Sequence, residues 1–400
     1  MDAGTGVSIG AAGTRPNRLR ERQRKRAKER RHERRRQRAR SSSGGSIYSV
    51  DSVEGAIAAI EQQTIVIGHR GAAAYCAHNS LASFSRAIEL GVDMIELDVR
   101  VTNDGALAVF HDHLTEHGKG SRVDGMTMAE LQRAHPSTRT FEEVMEHIHR
   151  CCVKAGTETK VYVDLKGRAV VKPVLACLSA FVKRRKWNAA ERLTMCSFNQ
   201  FDIAEVTRAL DADAAHPLHG VTLGVLLCGV PLSLSADARA LGAKLVVTDA
   251  ATLFTEAGEA LVRDCRGHGI RVMVYTVNSR EDMRLALELG LAGICTDYID
   301  VCRAERKSHA EATVARAARS HAVAGGCGAK TERLAQAVAA AQDARRREEE
   351  AKSQALAKAA GKAGASALRK AAGLARGNPR NPSGSDRLVD PASAFRAIVC

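Results

Sequence analysis

The chain has 400 residues, enough for one large domain or two ordinary ones, and 45% of them are hydrophobic. Aromatic residues make up only 4%, so the core must be mostly aliphatic. The net charge of +15 is uneven: residues 15–40 hold 15 basic and 3 acidic residues, and residues 301–400 hold 19 and 9, whereas residues 41–300 hold 26 and 32. A basic surface over the whole protein, which would indicate nucleic-acid binding, is therefore excluded.

Residues 1–50 are predicted to be a disordered basic arm, because an arginine-rich block and a Ser/Gly stretch contain almost no large apolar residues. No apolar segment follows the arginines, so neither a secretory nor a twin-arginine signal is indicated. The sequence contains no run of about 18 apolar residues, so it predicts no membrane span. The 11 cysteines lack CxxC spacing and are expected to be free thiols. We therefore expect an intracellular, cytoplasmic protein, with a nuclear or membrane-peripheral location left open.

From Thr64 onward, short apolar runs alternate with segments that have Ala and Leu at helical spacing, such as residues 81–90 and 280–289. This alternation over about 240 residues predicts a parallel sheet that closes into a (β/α)8 TIM barrel. We assign the barrel to residues 51–305. The predicted strands are residues 64–68, 94–101, 106–111, 160–165, 193–197, 222–227, 244–248, 271–276 and 293–296.

Nine predicted strands are one more than an eight-stranded barrel needs. The sequence Asn103-Asp104-Gly105 between two apolar runs predicts a tight hairpin, and strands joined by so short a turn must be antiparallel. One flanking strand is therefore expected to be an antiparallel excursion, unless one of the later runs lies outside the barrel. Residues 306–400 are rich in Ala, Lys, Arg and Glu, which predicts a helical or disordered basic tail with a helix over residues 331–360.

Three clusters of polar residues come at the predicted carboxyl ends of strands, where the active sites of (β/α)8 barrels lie. The clusters are His69-Arg70-Gly71, Glu96-Leu97-Asp98 with His111-Asp112, and Asp164-Leu165-Lys166. A hairpin that pairs Thr102 with Gly105 places Glu96 directly opposite His111. Glu96 and Asp98 point to the same side because they lie two residues apart on one strand. The sequence therefore predicts that acids, histidines and cations gather at one end of the barrel.

This set of side chains suits the cleavage of a phosphodiester. Clustered carboxylates repel one another and need a cation between them, and ligands that are all oxygen favour Mg²⁺ or Ca²⁺ over zinc. Such a cation binds a phosphate oxygen and the attacking oxygen together. Arg70 and Lys166 can neutralise charge on the phosphoryl group, and the two histidines can supply a base and an acid.

Several segments resemble the glycerophosphodiester phosphodiesterase family, and they occur in the family's order between about residues 65 and 300. The first matches are Gly68-His69-Arg70-Gly71, Ile95-Glu96-Leu97-Asp98-Val99, Thr102-Asn103-Asp104-Gly105 and Val109-Phe110-His111-Asp112. The resemblance continues through residues 120–131 and Thr140-Phe141-Glu142-Glu143-Val144. The weaker matches are Ser197-Phe198, Val274-Tyr275-Thr276-Val277-Asn278 and Ile294-Cys295-Thr296-Asp297. One such motif alone is weak, but the ordered set is specific.

The resemblance implies a role for each matching residue. It implies acid/base histidines at His69 and His111, ligands of a divalent cation at Glu96, Asp98 and Asp164, and phosphate-binding side chains at Arg70 and Lys166. Tyr275 stands where the family usually has Trp and is expected to line the substrate site. The implied reaction converts a glycerophosphodiester to sn-glycerol 3-phosphate and an alcohol. In that reaction a neighbouring hydroxyl of the substrate attacks phosphorus, and a cyclic phosphate forms and is hydrolysed.

Two departures from the family's pattern keep other functions open. The family usually reads Pro-Glu-Asn after the first histidine, whereas this chain reads Ala77-His78-Asn79. His78 could ligate a metal ion, but it removes a negative charge from the site. Asp164-Leu165-Lys166 also resembles the branch of sphingomyelinase D and lysophospholipase D enzymes. One alternative is therefore such an activity on lipids, with the basic tails held on an acidic membrane. The other is a catalytically impaired barrel that acts as a binding module, with tails that engage nucleic acid or acidic proteins.

Overall fold

The computed structural model describes residues 53–116, 119–229, 234–323 and 347. The chain divides into two compact units, Met1–Leu334 and Ala335–Cys400, and every described residue except Arg347 belongs to the first. The predicted basic arm over residues 1–50 and nearly all of the predicted tail beyond residue 323 lie outside the described residues. Their structure therefore stays a prediction.

Eight parallel strands close into a barrel at the centre of the first unit. The strands of this unit are β1 (Ile65–Gly68), β2 (Met94–Val101), β3 (Leu107–Val109), β4 (Leu114–Glu116), β5 (Lys119–Arg122), β6 (Lys160–Leu165), β7 (Leu193–Ser197), β8 (Thr222–Leu227), β9 (Leu245–Asp249), β10 (Arg271–Tyr275) and β11 (Gly293–Thr296). The barrel strands follow one another in the order β1, β2 and β6 to β11, and β11 pairs with β1 again. The predicted (β/α)8 fold is confirmed, and each predicted strand segment contains a strand.

Helices lie between successive barrel strands, before the first strand and after the last one. They are α1 (Val53–Glu61), α2 (Leu81–Glu89), α3 (Met128–Ala134), α4 (Phe141–Ala155), α5 (Val171–Arg185), α6 (Ala189–Arg192), α7 (Gln200–Asp211), α8 (Leu234–Ala240), α9 (Ala250–Leu253), α10 (Glu256–Gly267), α11 (Arg280–Leu289) and α12 (Ile299–Val323). Helix α4 has sequence signals at both ends. Thr140 and Glu143 form a reciprocal capping box at its start, and Gly156 ends it at a φ of +65°. These contacts satisfy backbone groups that helix ends leave unpaired.

The predicted antiparallel excursion is confirmed. The beginning of β2 pairs with β1 and its end pairs with β3, with Val99 opposite Val109. Strand β3 therefore extends the sheet outside the barrel, so eight of the nine predicted strands form the barrel itself. Strands β4 and β5 form a separate two-stranded sheet that no pattern in the sequence predicted.

The register of the β2–β3 hairpin differs by one residue from the prediction. The Thr102 N–H donates to the Ala106 carbonyl at 2.9 Å, so the loop has three residues, and Gly105 ends it at a φ of +78°. Three-residue hairpin loops need such a left-handed residue, which glycine adopts without strain. The predicted opposition of Glu96 and His111 is therefore wrong, because it assumed a two-residue loop.

Side chains on each barrel strand alternate between two apolar layers. On β2, Ile95, Leu97 and Val99 pack in the layer between the strands and the helices, whereas Met94 packs in the barrel interior. The interior layer consists of Ile67, Met94, Tyr162, Cys196, Leu226, Leu245, Val247, Met273 and Cys295. The alternation directs Glu96 and Asp98 to the same side as Met94, toward the barrel axis at its carboxyl end.

Helix α12 packs along β1 and β11, and its Arg306 reaches the amino ends of β1 and β2. Arg306 is 9% exposed and donates to the Thr64 carbonyl at 3.1 Å and to the Asp93 carboxylate. Asp93 also accepts from the Val66 N–H at 2.7 Å. The buried side chains of the helix continue to Ala315. The boundary predicted between residues 305 and 306 thus falls inside this helix.

The Arg306→Met substitution is expected to lower the free energy of unfolding by about 1–3 kcal/mol, because it leaves the buried Thr64 carbonyl without its guanidinium donor and removes the ion pair with Asp93. Urea denaturation of the two proteins measures this difference. Arg316→Met, on the exposed face of the same helix, is the matched control and should change stability by no more than about 0.5 kcal/mol. Equal losses in both variants would contradict a specific role for the Arg306 contacts.

Two general expectations bear on the described residues. The nine cysteines among them are free thiols, as the sequence indicated. None of the described helices is both long enough and apolar enough to span a membrane. The intracellular location stays a prediction.

Candidate active site

His69 and Arg70 lie in the turn that follows β1, at the carboxyl end of the barrel. The Gly71 N–H donates to the Gly68 carbonyl at 3.2 Å, and Gly71 has a φ of +90°. A Cβ at Gly71 would lie 2.2 Å from Ser83 Oγ, so only glycine lets α2 approach this closely. The Ser83 hydroxyl donates in turn to the Arg70 carbonyl at 2.8 Å. The turn is therefore fixed against α2, which sets where His69 and Arg70 enter the site.

Three buried carboxylates converge just inside this end of the barrel. Glu96 and Asp98 lie on β2, Asp164 lies on the neighbouring β6, and the register pairs Asp98 with Asp164. Oxygen atoms of all three lie within 4.8 Å of one another, and none of the residues is more than 5% exposed. The backbone N–H of Arg70 donates to Glu96 Oε2 at 2.7 Å and joins the first turn to the cluster. These are the three acids whose convergence the sequence predicts.

Burial and mutual repulsion disfavour the fully ionised cluster. Burial raises the pKa of Glu96 well above its ordinary value, and the charges of Asp98 and Asp164 raise it further. Burial also raises the pKa of Asp164 to about 7, against the attraction of Lys166. Burial acts on Asp98 in the same direction, but Lys166 and other nearby cations bring its pKa below the ordinary value. The cluster by itself therefore retains protons near neutral pH.

Two cations and one amide surround the acids. Lys166 Nζ donates to Asp164 Oδ2 at 2.5 Å and lies 3.3 Å from Asp98 Oδ1. Arg70 Nε lies 3.4 Å from Asp98 Oδ2, and Asn79 Nδ2 donates to the same oxygen at 2.9 Å. Lys166 and Arg70 thus lie beside the acids, where they can also meet the charge of a bound phosphate.

The cluster fits a divalent cation. Asp164 Oδ1 is buried and has no hydrogen-bond partner among the residues that the structure describes, and the same is true of Arg70 Nε. A buried polar atom without a partner is unfavourable, so a ligand at this position would stabilise the site. The three carboxylates offer oxygen donors only, which is the chemistry that Mg²⁺ and Ca²⁺ prefer.

A carboxylate holds His69. His69 Nδ1 lies 2.7 Å from Asp297 Oδ1, and Asn278 Nδ2 donates to the other oxygen of Asp297 at 2.6 Å. Burial acts to raise the pKa of Asp297, but the hydrogen bond and the charge of His69 bring it below the ordinary value. Because an ionised carboxylate only accepts hydrogen bonds, Nδ1 of His69 carries a proton. Nε2 is therefore the nitrogen that can exchange a proton with a ligand.

A second carboxylate holds His111, just beyond the paired part of the hairpin. His111 Nδ1 lies 2.6 Å from Asp112 Oδ1, and Arg100 Nε donates to the His111 carbonyl at 2.8 Å. Burial lowers the pKa of the His111 imidazole, and the charge of Asp98 opposes this effect. His111 is thus close enough to the acids to interact with Asp98, although it does not lie opposite Glu96.

Tyr275 ends β10, and its hydroxyl and ring both have partners. The hydroxyl donates to the Leu227 carbonyl at 2.9 Å and lies 3.3 Å from Cys228 Sγ. The ring packs edge-on against Phe198 with 6.0 Å between centroids, and Lys166 Nζ lies 5.2 Å from the centre of the Phe198 ring. An arrangement of this kind suits a wall of the substrate site better than a proton-transfer group.

His78 lies in the loop between β1 and α2, and its side chain is exposed. Partial burial and the charge of Arg70 lower the pKa of His78, while Asp297 acts in the opposite direction. His78 is therefore within electrostatic reach of the site, but the cluster of three acids does not include it. A neutral imidazole at this position supplies no negative charge for a cation.

Comparison with known protein families shows the family of this chain. The model of the glycerophosphoryl diester phosphodiesterase family matches residues 69–301, which is more than half of the chain. The chain belongs to this family. The match confirms the family resemblance that the sequence indicated. It also confirms the predicted enzyme class, which is that of the phosphoric diester hydrolases. The match begins at the first predicted catalytic histidine and ends in α12.

Relatives in the family cover the barrel. A glycerophosphodiester phosphodiesterase from Caldanaerobacter subterraneus subsp. tengcongensis is 29% identical over 255 residues, which cover 59% of this chain and 94% of that protein. A lysophospholipase D from Rattus norvegicus is 24% identical over 265 residues, 58% of this chain and 82% of that protein. Each match therefore covers most of the relative but less than two thirds of this chain.

Solved structures of the family have the same fold. A glycerophosphodiester phosphodiesterase from Parabacteroides distasonis has a TM-score of 0.50 at 25% identity, covering 62% of this chain and 99% of that one. A phosphodiesterase from Oleispira antarctica, in complex with the product sn-glycerol-3-phosphate, has a TM-score of 0.50 at 21% identity, with coverages of 60% and 96%. Both extend over nearly the whole length of their own chains, as expected for a shared barrel.

Several residues that support the site received no role from the sequence. They are Asn79, Arg100, Asp112, Phe198, Asn278 and Asp297. Most of them lie next to predicted site residues or inside motifs shared with the family. Their position in the sequence could therefore have indicated a role in the site. Arg100 stood in no matched motif and could be found only from the structure.

Proposed function

We propose that this protein hydrolyses glycerophosphodiesters to sn-glycerol 3-phosphate and an alcohol, with Mg²⁺ or Ca²⁺ as the cofactor. The observation that carries the proposal is the convergence of three buried carboxylates beside two histidines that are each held by an acid. Relatives named glycerophosphodiester phosphodiesterase support the substrate class. The phosphodiesterase with bound sn-glycerol-3-phosphate supports the product.

Glu96, Asp98 and Asp164 would hold the cation between them. When bound, the cation attracts a phosphate oxygen of the substrate and stabilises negative charge that develops on the phosphoryl group. The raised pKa values of Glu96 and Asp164 are a physical reason for this assignment. Two buried acids that resist ionisation become favourable ligands only when a positive charge lies between them.

His69 and His111 are the proposed base and acid. In each residue the Nδ1 side contacts a carboxylate, so the Nε2 side is the one that can meet the substrate. One histidine takes the proton from the attacking hydroxyl of the substrate, and the other donates a proton to the departing alcohol. Hydrolysis of a cyclic phosphate uses the same two groups in reversed roles.

Arg70 and Lys166 are proposed to bind the non-bridging phosphate oxygens. Both already lie within 3.4 Å of an Asp98 oxygen, so they flank the position that a phosphate next to the cation would take. Fixed cations of this kind stabilise charge without reorganising during the reaction. Tyr275, with Phe198 against its ring, would form the wall for the glycerol or head-group side.

A second candidate is activity on lysophospholipids. The rat relative named lysophospholipase D favours it, because that name gives a lysophospholipid as the substrate. A third is the catalytically impaired barrel, which is favoured by His78 in place of the family's usual acid. Contacts of the basic tails with acidic membranes or nucleic acid also stay predictions, since the tails lie outside the described residues.

An assay with the metal-stripped full chain tests the proposal. Glycerophosphocholine, lysophosphatidylcholine and sphingomyelin are each offered with added Mg²⁺, with added Ca²⁺ and with a chelator. We expect release of sn-glycerol 3-phosphate from glycerophosphocholine with at least one cation, and no release with the chelator. Faster turnover of a lipid would favour the second candidate. No turnover of any substrate would reject the proposal and favour a binding module.

A further inference from the structure

Exposed aromatic side chains gather at the mouth of the barrel. Among the residues that the structure describes, five large hydrophobic side chains are exposed, and four of these are aromatic residues in segments that follow barrel strands. We call these four the aromatic rim: Tyr75 (43% exposed), Phe198 (45%), Phe201 (83%) and Tyr298 (41%). The fifth, Val153, lies near the end of α4, at the opposite end of the barrel. Single exposed apolar residues are ordinary, but here they concentrate at one end.

The structure holds Phe201 in its exposed position. The Phe201 N–H donates to Asn199 Oδ1 at 3.2 Å, and Asn199 Nδ2 donates to Asp202 Oδ1 at 2.9 Å. Ser197 Oγ donates to the other oxygen of Asp202, which is only 7% exposed, at 2.8 Å. A hydrogen-bond network that is buried at Ser197 and Asp202 therefore fixes the start of α7. The ring of Phe201 cannot reach the core without breaking this network.

The two tyrosines of the aromatic rim are fixed in a similar way. Their rings pack edge-on with 6.3 Å between centroids. The Tyr75 hydroxyl donates to Asp300 Oδ1 at 2.5 Å, and the Tyr298 N–H donates to Thr296 Oγ1 at 3.1 Å. Tyr75 thus combines an exposed apolar ring with a polar contact to the start of α12, and the backbone of Tyr298 is fixed to the end of β11. Side chains with one apolar and one polar end are those that favour a membrane–water interface.

We infer that the aromatic rim docks the mouth of the barrel onto a lipid bilayer, with Phe201 inserted at the level of the head groups. The inference rests on the proposed phosphodiesterase site, because a bilayer presents lipid phosphodiesters, the substrate class of the second candidate, to the acids that the aromatic rim borders. Phe198 links the two regions, since its ring contacts Tyr275 and lies beside Lys166. A lipid bilayer is the occupant that fits both regions, because its apolar acyl chains and its phosphodiester head groups lie next to each other.

This mode of docking differs in its physics from contact through the basic tails. Attraction between cationic tails and an anionic membrane weakens as salt screens the charges. Insertion of aromatic rings depends on burial of apolar surface, so it persists at high salt and needs no anionic lipid. Neutral phosphatidylcholine vesicles in high salt therefore report on the aromatic rim and not on the tails.

Vesicle co-sedimentation of the full chain, with pure phosphatidylcholine in high salt and without turnover, tests the inference. The wild-type protein is expected to bind, and Phe201→Ser is expected to raise the dissociation constant by about tenfold, since one phenylalanine ring loses its burial. Val153→Ser is the matched control, because it also removes an exposed apolar side chain but at the other end of the barrel. It should leave the affinity unchanged.

Three results of the co-sedimentation experiment would overturn the inference. They are no binding of the wild-type protein, equal affinities of wild type and Phe201→Ser, or equal losses of affinity in the Phe201→Ser and Val153→Ser variants. Light scattering addresses a second copy of the chain as the occupant. A dimer that Phe201→Ser converts to a monomer would also overturn it. Turnover of water-soluble glycerophosphocholine is measured separately, so failure of the proposed function is distinguishable from failure of bilayer docking.

Discussion

Replacing His69 or His111 with alanine is expected to lower kcat/KM for glycerophosphocholine by about 10²–10⁴-fold, the usual effect of losing a positioned acid or base. Both variants should fold, because the His69 and His111 side chains are 18% and 38% exposed and lie outside the apolar layers. Circular dichroism and thermal unfolding check this point. Steady-state assays with saturating cation measure the loss of activity.

The same variants separate the roles of the two histidines. Nitrophenolate is a leaving group that departs without protonation. A substrate that carries it should therefore restore activity to the variant that lacks the acid, but not to the variant that lacks the base. His268→Ala is the matched control, because His268 also lies near a carboxylate, 3.4 Å from Asp264, but at the end of α10. Full activity in both site variants would reject the assignment and favour the impaired barrel.

Replacing Asp164 with asparagine is expected to remove most of the stabilisation that the cation confers. A cation at about 100 times its dissociation constant should stabilise the wild-type protein by about 2.7 kcal/mol. Without the Asp164 carboxylate, two acids and an amide remain, which lowers the charge that holds a divalent ion. Urea denaturation with and without Mg²⁺ or Ca²⁺ measures the effect. Asp249→Asn is the control, because Asp249 also ends a barrel strand but accepts from the Thr252 N–H at 2.8 Å.

The pH dependence of this stabilisation has a definite sign. The pKa of Asp164 is about 7 in the folded protein and returns to 3.8 on unfolding, so the folded state binds a proton between these values that the unfolded state releases. Its contribution to cation-free stability therefore falls as pH rises through this window. A cation must displace that proton, so it should stabilise the protein more at about pH 8 than at about pH 5.5. An Asp164→Asn variant with an undiminished cation effect would contradict the assignment.

Local patterns explain which parts of the fold were predictable. The barrel strands were found because each is a short apolar run, and the observed strands lie within or next to the predicted ranges. Strands β4 and β5 were missed because Leu114–Glu116 and Lys119–Arg122 are short and mostly polar, so no apolar pattern marks them. The hairpin between β2 and β3 was recognised from Asp104-Gly105, but its length was not. An Asp-Gly pair is compatible with loops of two and of three residues, which differ in register.

The positions of the proposed site residues along their strands followed from the sequence by itself. Side chains alternate along any strand, so Glu96 and Asp98 had to share a side, and barrel geometry places strand ends at one face. These are local properties that any chain with this pattern would have.

Only the tertiary structure decided which distant groups meet. The pairing of Asp98 with Asp164 depends on the register between β2 and β6, and the contact of His69 with Asp297 joins residues 228 positions apart. The first contact follows from the pairing of neighbouring barrel strands, and the second follows from closure of the barrel, which brings β1 beside β11. The position of His111 depends in addition on the three-residue loop at Gly105. Such contacts arise from packing of the whole domain, and no local pattern of residues encodes them.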